Sequence, residues 1–188
     1  MPDGPGLELI AQEIGDAHDG AVLDTEYFRD QATLVVDPEQ IVAVLTWLRD
    51  TEGQEYRLLT SVHGVDYMPE VPRFAVHYQM VNMPRVERLG VKAPLADPAA
   101  ENGDTWSLGD EPLPEIDSVI DVFPTANFQE REVYDFFGIR FRGHPDLRRI
   151  LMPESYVGWP QRRDFPIGGD PVLFTHNEHE FPRWYAHD

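Results

Sequence analysis

The sequence predicts an α+β fold, a two-layer sandwich of a mixed, largely antiparallel sheet with helices on one face, followed by an extended C-terminal segment. Three observations carry this. "YRLLTSVHGVDY" (56–67) and "RFAVHYQMVN" (73–82) are β-branched and aromatic runs joined by a Pro-containing turn. Helical spacing of apolar residues flanks them on both sides. Beyond residue 138 the chain is broken by Gly and Pro every few residues, and its last 22 residues show no core-forming pattern. At 188 residues and 41% hydrophobic, the chain suits one domain with a real core.

Taken in order, "GLELIAQEIGDA" (6–17) places Leu7, Ile10 and Ile14 on one helical face. "ATLVV" (32–36) reads as a strand, and Asp37-Pro38-Glu39 then supplies an N-cap, a proline at the first helical position and an acid in the first turn. The helix from 38 to about 51 turns Ile41, Val44, Leu45 and Leu48 inward. In the 73–82 run Phe74, Val76 and Tyr78 alternate with Ala75, His77 and Gln79, as in a half-buried strand, and "RVERLGVK" (85–92) extends the antiparallel meander. His63 and His77 fall in these strands as ordinary hydrogen-bonding residues. Residues 93–115, with four prolines and six acids, form a loop. "IDSVIDVF" (116–123) returns to apolar alternation, and 124–138 is a helix with an Asn127/Glu130 capping box and Gly138 at its end. The expected division is an α+β domain over 1–142 and an extended arm over 143–188.

Composition excludes several classes. Thirty-four acids against fifteen basic residues give a formal charge of −19, which disfavours nucleic acid and anionic membranes. With no cysteine there is no disulfide, thiolate metal site or cysteine-held cluster. The first basic residue is Arg29, so the N-terminus lacks a signal-like charged region, and the longest apolar run, "IVAVLTWL", is too short to span a bilayer. A soluble, cytoplasmic protein is expected, its acidity suited to a salt-rich interior.

Seven of the fifteen basic residues crowd into 130–165, where they face six acids. The local net charge is +1, and the rest of the chain carries −20. Arginines interleaved with carboxylates and large apolar residues suit an ion-pair network, since the guanidinium fork binds carboxylate bidentately and tolerates partial desolvation. Glu132 and Asp135 lie three apart, and Arg131 and Asp135 four apart, on one helical face that would meet the arginines of "DLRRIL" or "QRRDF". Three readings follow: ordinary exposed pairs, a partner interface, or an active site. The last would use Glu130, Glu132 or Asp135 as acid and base, with His144 or an arginine holding substrate. His176 and His179 could ligate a metal by spacing alone. No Gly-rich phosphate loop or nucleophile elbow is present.

"ERE" with "YDFFGI", then "GHPDLRRIL", "MPE" and "RRDFP", together with the upstream "SVHGVDY", "RFAVHYQMVN" and "FPTANFQERE", resembles the C-type or 30-kilodalton-type subunit of proton-translocating NADH:quinone oxidoreductase (respiratory complex I). The likeness runs from about residue 31 to 166. It implies a subunit without a cofactor of its own, peripheral on the cytoplasmic side of the cell membrane, with NADH, FMN, iron–sulfur clusters and quinone held by other subunits. Its expected partners are the large hydrogenase-like subunit and other quinone-module and peripheral-arm chains, along which the arm would lie.

Matched to that motif, Glu130, Arg131, Glu132 and Asp135 fall in the helix, His144, Pro145, Asp146, Arg148 and Arg149 in the central turn, and Arg162, Arg163 and Asp164 in a final clamp. The resemblance makes all twelve structural or interface positions, none catalytic. The resemblance equally admits the same subunit type in a related F420H2-, ferredoxin- or hydrogenase-linked membrane complex. Phe128, Ser155, Trp159 and Gln161 depart from the family's usual residues. Outside the resemblance stand a stand-alone hydrolase using Glu132 and Asp135, and a salt-dependent adaptor outside respiration.

Overall fold

The computed structural model describes residues 2–98 and 112–165. Helix α1 (Gly4–Ala17) starts at Asp3, whose carboxylate accepts the Gly6 N–H at 2.8 Å, and it buries Leu7, Ile10 and Ile14 as their spacing predicts. Two strands follow, β1 (Val22–Phe28) and β2 (Gln31–Val36). Arg29 and Asp30 close their hairpin with φ of 50° and 60°, the left-handed pair that a two-residue turn demands. The sequence reading has no strand at 22–28, for two reasons. β1 is an edge strand with no fully buried residue, so its side chains carry no alternation, and Arg-Asp lacks the Asn-Gly turn signature.

Asp37 caps a short 3₁₀ turn over Pro38–Gln40 by accepting the Glu39 N–H at 3.0 Å, and helix α2 (Ile41–Asp50) buries Ile41, Val44, Leu45 and Leu48.

Strands β3 (Leu58–Asp66), β4 (Phe74–Asn82) and β5 (Glu87–Leu95) complete a five-stranded sheet in the order β1-β2-β5-β4-β3. Neighbours are antiparallel except β2 and β5, which run parallel because the chain leaves β2 through α2 and returns only after the β3–β4 hairpin. Phe74, Val76, Tyr78, Met80, Leu89 and Val91 form the inner face, in one buried cluster with the helices. Strand β5 extends past the expected end at 92, so the loop predicted for 93–115 is shorter than its sequence suggests; residues 99–111 lie outside those described.

Beyond the loop, β6 (Glu115–Asp117) and β7 (Arg140–Arg142) pair in parallel around helix α3 (Ala126–Phe137). The alternation seen at 116–123 is only partly strand, since Val122 and Phe123 both donate to the Val119 carbonyl in a tight turn. The expected capping box does not form either. Thr125 is the N-cap and makes no side-chain cap bond, while Glu130 points into the core. Gly138 ends α3 at φ 69°, as predicted.

Helix α3 covers the open edge of β3. Gln129 Oε1 accepts the Val62 N–H, and Thr125 Oγ1 donates to the Leu59 carbonyl at 3.3 Å. Gly64 permits this approach, since a Cβ there would stand 2.7 Å from the Phe137 ring. Residues 143–165 form no helix or strand and lie against α3 and the β3–β4 turn.

Candidate functional site

The charged segment folds back on its own domain through two carboxylate centres. The first is Asp135, fully buried on α3. One oxygen accepts Arg149 at 2.8 Å, and the other accepts the backbone N–H groups of Ile150 (3.0 Å), Leu151 (2.7 Å) and Met152 (2.9 Å). The arm therefore turns around a single side chain. Burial pushes this carboxyl up, but the three N–H groups and Arg149 outweigh it and hold it below the usual carboxylate range.

Arg149 also donates to the Gly158 carbonyl at 2.7 Å and sits 4.5 Å above the Trp159 ring. Trp159 in turn packs edge-on against Tyr134 and lies over Gly138, where any Cβ would come within 2.5 Å of the indole.

Arg73, at the start of β4, is the second centre. Its guanidinium makes a bidentate contact with Asp66 (3.1 and 2.9 Å) and reaches Asp97 and Asp164, both at 2.8 Å. Asp66 is 2% exposed, Asp97 6% and Asp164 13%. Asp66 further accepts the N–H groups of Met68 (3.0 Å) and Arg163 (2.8 Å). Burial works against ionisation at both ends of this pair, yet the hydrogen bonds dominate, so Asp66 is lowered and Arg73 raised. Neighbouring Arg162 donates to the Phe137 carbonyl at 2.7 Å, and both Arg162 and Arg73 lie over the Phe74 ring.

Of the sequence-predicted residues, Asp135, Arg149, Arg162, Arg163 and Asp164 thus converge on these two centres, and Asp135 does meet an arginine of "DLRRIL". Arg131 donates to the Arg148 carbonyl at 3.2 Å, and Arg148 pairs with Asp146 at 2.7 Å on the exposed turn. His144 lies 3.1 Å from the Asn127 carbonyl and accepts the Asp146 N–H, with Pro145 exposed beside it.

Glu130 and Glu132 behave differently from expectation. Glu130 is fully buried, accepting Ser118 Oγ at 2.6 Å and the Val119 N–H at 2.8 Å; burial, opposed by those two bonds, pushes its carboxyl up to about 7. It anchors the turn before α3. Glu132 faces outward and forms no ion pair among the described residues, so its loss leaves no arginine stranded. An acid–base pair of Glu132 and Asp135 has no geometry here, with one side chain outside and the other saturated.

Sequence reasoning missed Asp66, Arg73 and Asp97. The usable signal is that Asp66 and Arg73 close the ends of two apolar runs, where a charged residue is drawn into the fold with the strand.

On the open face of the sheet His63 and His77 stack at 5.3 Å, tied to Ser61 (3.2 Å) and Tyr67 (2.9 Å) respectively. Burial, together with its neighbours His63 and Lys92, pulls His77 down to about 4. Among the described residues no three His, Asp or Glu side chains converge as a metal site, and His176 and His179 lie outside them. No described helix is long and apolar enough to cross a membrane.

Residues 34–171 match the family described as "Respiratory-chain NADH dehydrogenase, 30 Kd subunit". The chain is 43% identical over 147 residues to the C-type subunit of NADH-quinone oxidoreductase from Herpetosiphon aurantiacus, covering 77% of each. It is 36% identical over 178 residues to the corresponding NADH-quinone oxidoreductase subunit of Roseiflexus sp. (strain RS-1), covering 95% of this chain and 92% of that one. A chain in the structure of the membrane-bound sulfane sulfur reductase, an archaeal respiratory membrane complex, superimposes with a TM-score of 0.63 at 19% identity, covering 96% and 95%. That likeness is one of fold.

Proposed function

Because the chain belongs to the 30-kilodalton-subunit family of respiratory-chain NADH dehydrogenases, we propose that it serves its complex as a docking subunit without a cofactor. It is a subunit of an NADH-quinone oxidoreductase. In this reading NADH, FMN, the iron–sulfur clusters and quinone belong to other chains. This one sits in the peripheral arm on the cytoplasmic side of the membrane and holds the large hydrogenase-like subunit and its quinone-module neighbours. Its contribution to proton translocation is then positional.

The observation that carries the reading is how the charged groups are used. Asp135 accepts from four donors, and Asp66, Asp97 and Asp164 share one guanidinium. Asp135 and the carboxylates around Arg73 are committed to shaping the arm rather than free to act as acid or base. The result is a preformed surface, with Leu151 and Val157 exposed on it. A partner meeting this surface orders little chain on binding, which lowers the cost of association.

The test is recovery of the tagged chain from gently solubilised native membranes, with the partners identified by mass. The large hydrogenase-like subunit and the iron–sulfur quinone-module chains are expected. NADH-binding chains in the same sample would distinguish an NADH-fed complex from an F420H2-, ferredoxin- or hydrogenase-linked one. Recovery of the chain alone, with hydrolytic or quinone-reducing turnover of its own, would overturn the proposal.

A further inference from the structure

We infer that the open face of the sheet, at the end where the β1–β2 and β4–β5 hairpins turn, docks an apolar segment of a neighbouring protein of the complex, one that carries a carboxylate to meet Arg88. The inference rests on the reading of this chain as a subunit, and it concerns a surface far from the arm.

A groove of about 640 Å³ crosses β2, β5, β4 and the start of β3 there. Leu58, Val81, Met83 and Val86 supply apolar lining and Gln79 is among its polar residues; among the described residues Arg88 is its one charge and no carboxylate lines it. That is unusual for this molecule. The chain carries thirty-four acids, and a surface without them, bearing Met83 at 63% and Val86 at 83% exposure, is poorly matched to water.

Val86 points the same way. It is β-branched, yet holds φ 53°, a conformation that such side chains resist. Its side chain is almost wholly exposed, so the strain returns no packing within the chain. The hairpin turn sets that conformation, with the Val86 N–H donating to the Met83 carbonyl at 3.2 Å, but a turn alone favours Gly or Asn there; an external apolar contact accounts for an exposed valine in their place.

Charge selects the occupant. Outside 130–165 the chain has eight basic residues, and Arg29, Arg57, Arg85 and Arg88 all sit at this end of the sheet. Arg57 and Arg85 pair with Glu55 and Glu87, whereas Arg29 and Arg88 make no ion pair among the described residues. An apolar segment with an acid opposite Arg88 complements this patch. A second copy does not, because each brings a charge of −19 and sets arginine against arginine.

The test places a photo-crosslinking residue at Met83 of the full chain, with a control at exposed Asp16 on α1, and irradiates the complex after gentle purification. Met83 is expected to join one other protein of the complex through a peptide containing apolar residues and Asp or Glu, and Asp16 is not. Arg88→Glu should lower the yield about tenfold, the scale of one interface anchor. Val86→Asn, which tolerates the left-handed conformation, should raise the melting temperature of the chain while lowering the crosslink.

An intact complex in which Met83 joins nothing, a second copy, or the chain's own residues 166–188 overturns this inference and leaves the subunit reading standing. Recovery of the chain without any partner overturns both.

Discussion

Arg73 and Asp164 meet at 2.8 Å, joining the turn between β3 and β4 to the last described stretch of the arm. Asp66 and Asp97 occupy the rest of the same guanidinium. The arm is thus tied down by one cation among three carboxylates, an arrangement that stands only while the cation is present.

Arg73→Met is therefore expected to be severe. It leaves three largely buried acids facing one another, a loss of about 3–5 kcal/mol. Urea unfolding should show the fall as a lower midpoint with little change in slope. A midpoint within error of the parent would mean the network contributes little.

Asp135→Asn should cost a comparable amount, because Arg149 loses its counter-charge and the single amide oxygen that remains can serve either Arg149 or the three N–H groups, leaving the other side facing an NH2 donor. Glu132→Gln, three residues earlier and exposed, should stay within about 0.5 kcal/mol. Thermal melts of the two variants side by side check this contrast, and equal effects would contradict the burial difference.

The two lowered carboxylates set an acid limit. Asp66 and Asp135 have folded pKa values below their unfolded ones, so the stability they contribute is complete above the ordinary carboxylate range. It is lost as pH falls through the lowered folded values. Parent and Asp135→Asn melts should accordingly converge in strong acid.

Glu130 runs the other way. Its folded value of about 7 lies above its ordinary value of 4.5, so between these the folded state holds a proton that the unfolded chain has released. Stability contributed by this group falls as pH rises through that window and is level above it. Glu130→Gln should remove the slope, matching the parent near pH 4 and gaining relative to it by on the order of 3 kcal/mol at pH 8. Melts at both pH values decide it; a parent favoured more at pH 8 than at pH 4 would show that Glu130 is stabilised as an anion.

Gly138→Ala tests the seat of Trp159. The left-handed backbone costs about 1 kcal/mol for a residue with a Cβ, and the new methyl would stand 2.5 Å from the indole. The tryptophan must move, and with it Arg149. Faster proteolytic nicking within 143–165 is the expected readout, against an unchanged rate in a Gly15→Ala control on α1, where the backbone is helical and no atom lies within 4 Å.

Much of the fold was legible because its signals are local. Asp37-Pro38, the spacing of Ile41, Val44, Leu45 and Leu48, and the alternation along Phe74–Tyr78 depend only on helix and strand period. β1 was not legible, since an edge strand buries too little to impose a pattern. The capping box at Asn127 failed for the opposite reason: Glu130 had a better partner in Ser118 and Val119, more distant in sequence than a cap but adjacent in the fold.

By itself the sequence determined the class of fold, the family, and the concentration of arginine in one segment, because period, composition and motif are carried by neighbouring residues. Only the tertiary structure decided which carboxylate each arginine meets. Asp66, Arg73 and Asp97 join Asp164 because the β3–β4 hairpin and the end of β5 bring them to one point. Within one short helix, burial rather than spacing separates Glu130, held in the core, from Glu132, left in water, and from Asp135, enclosed by the arm.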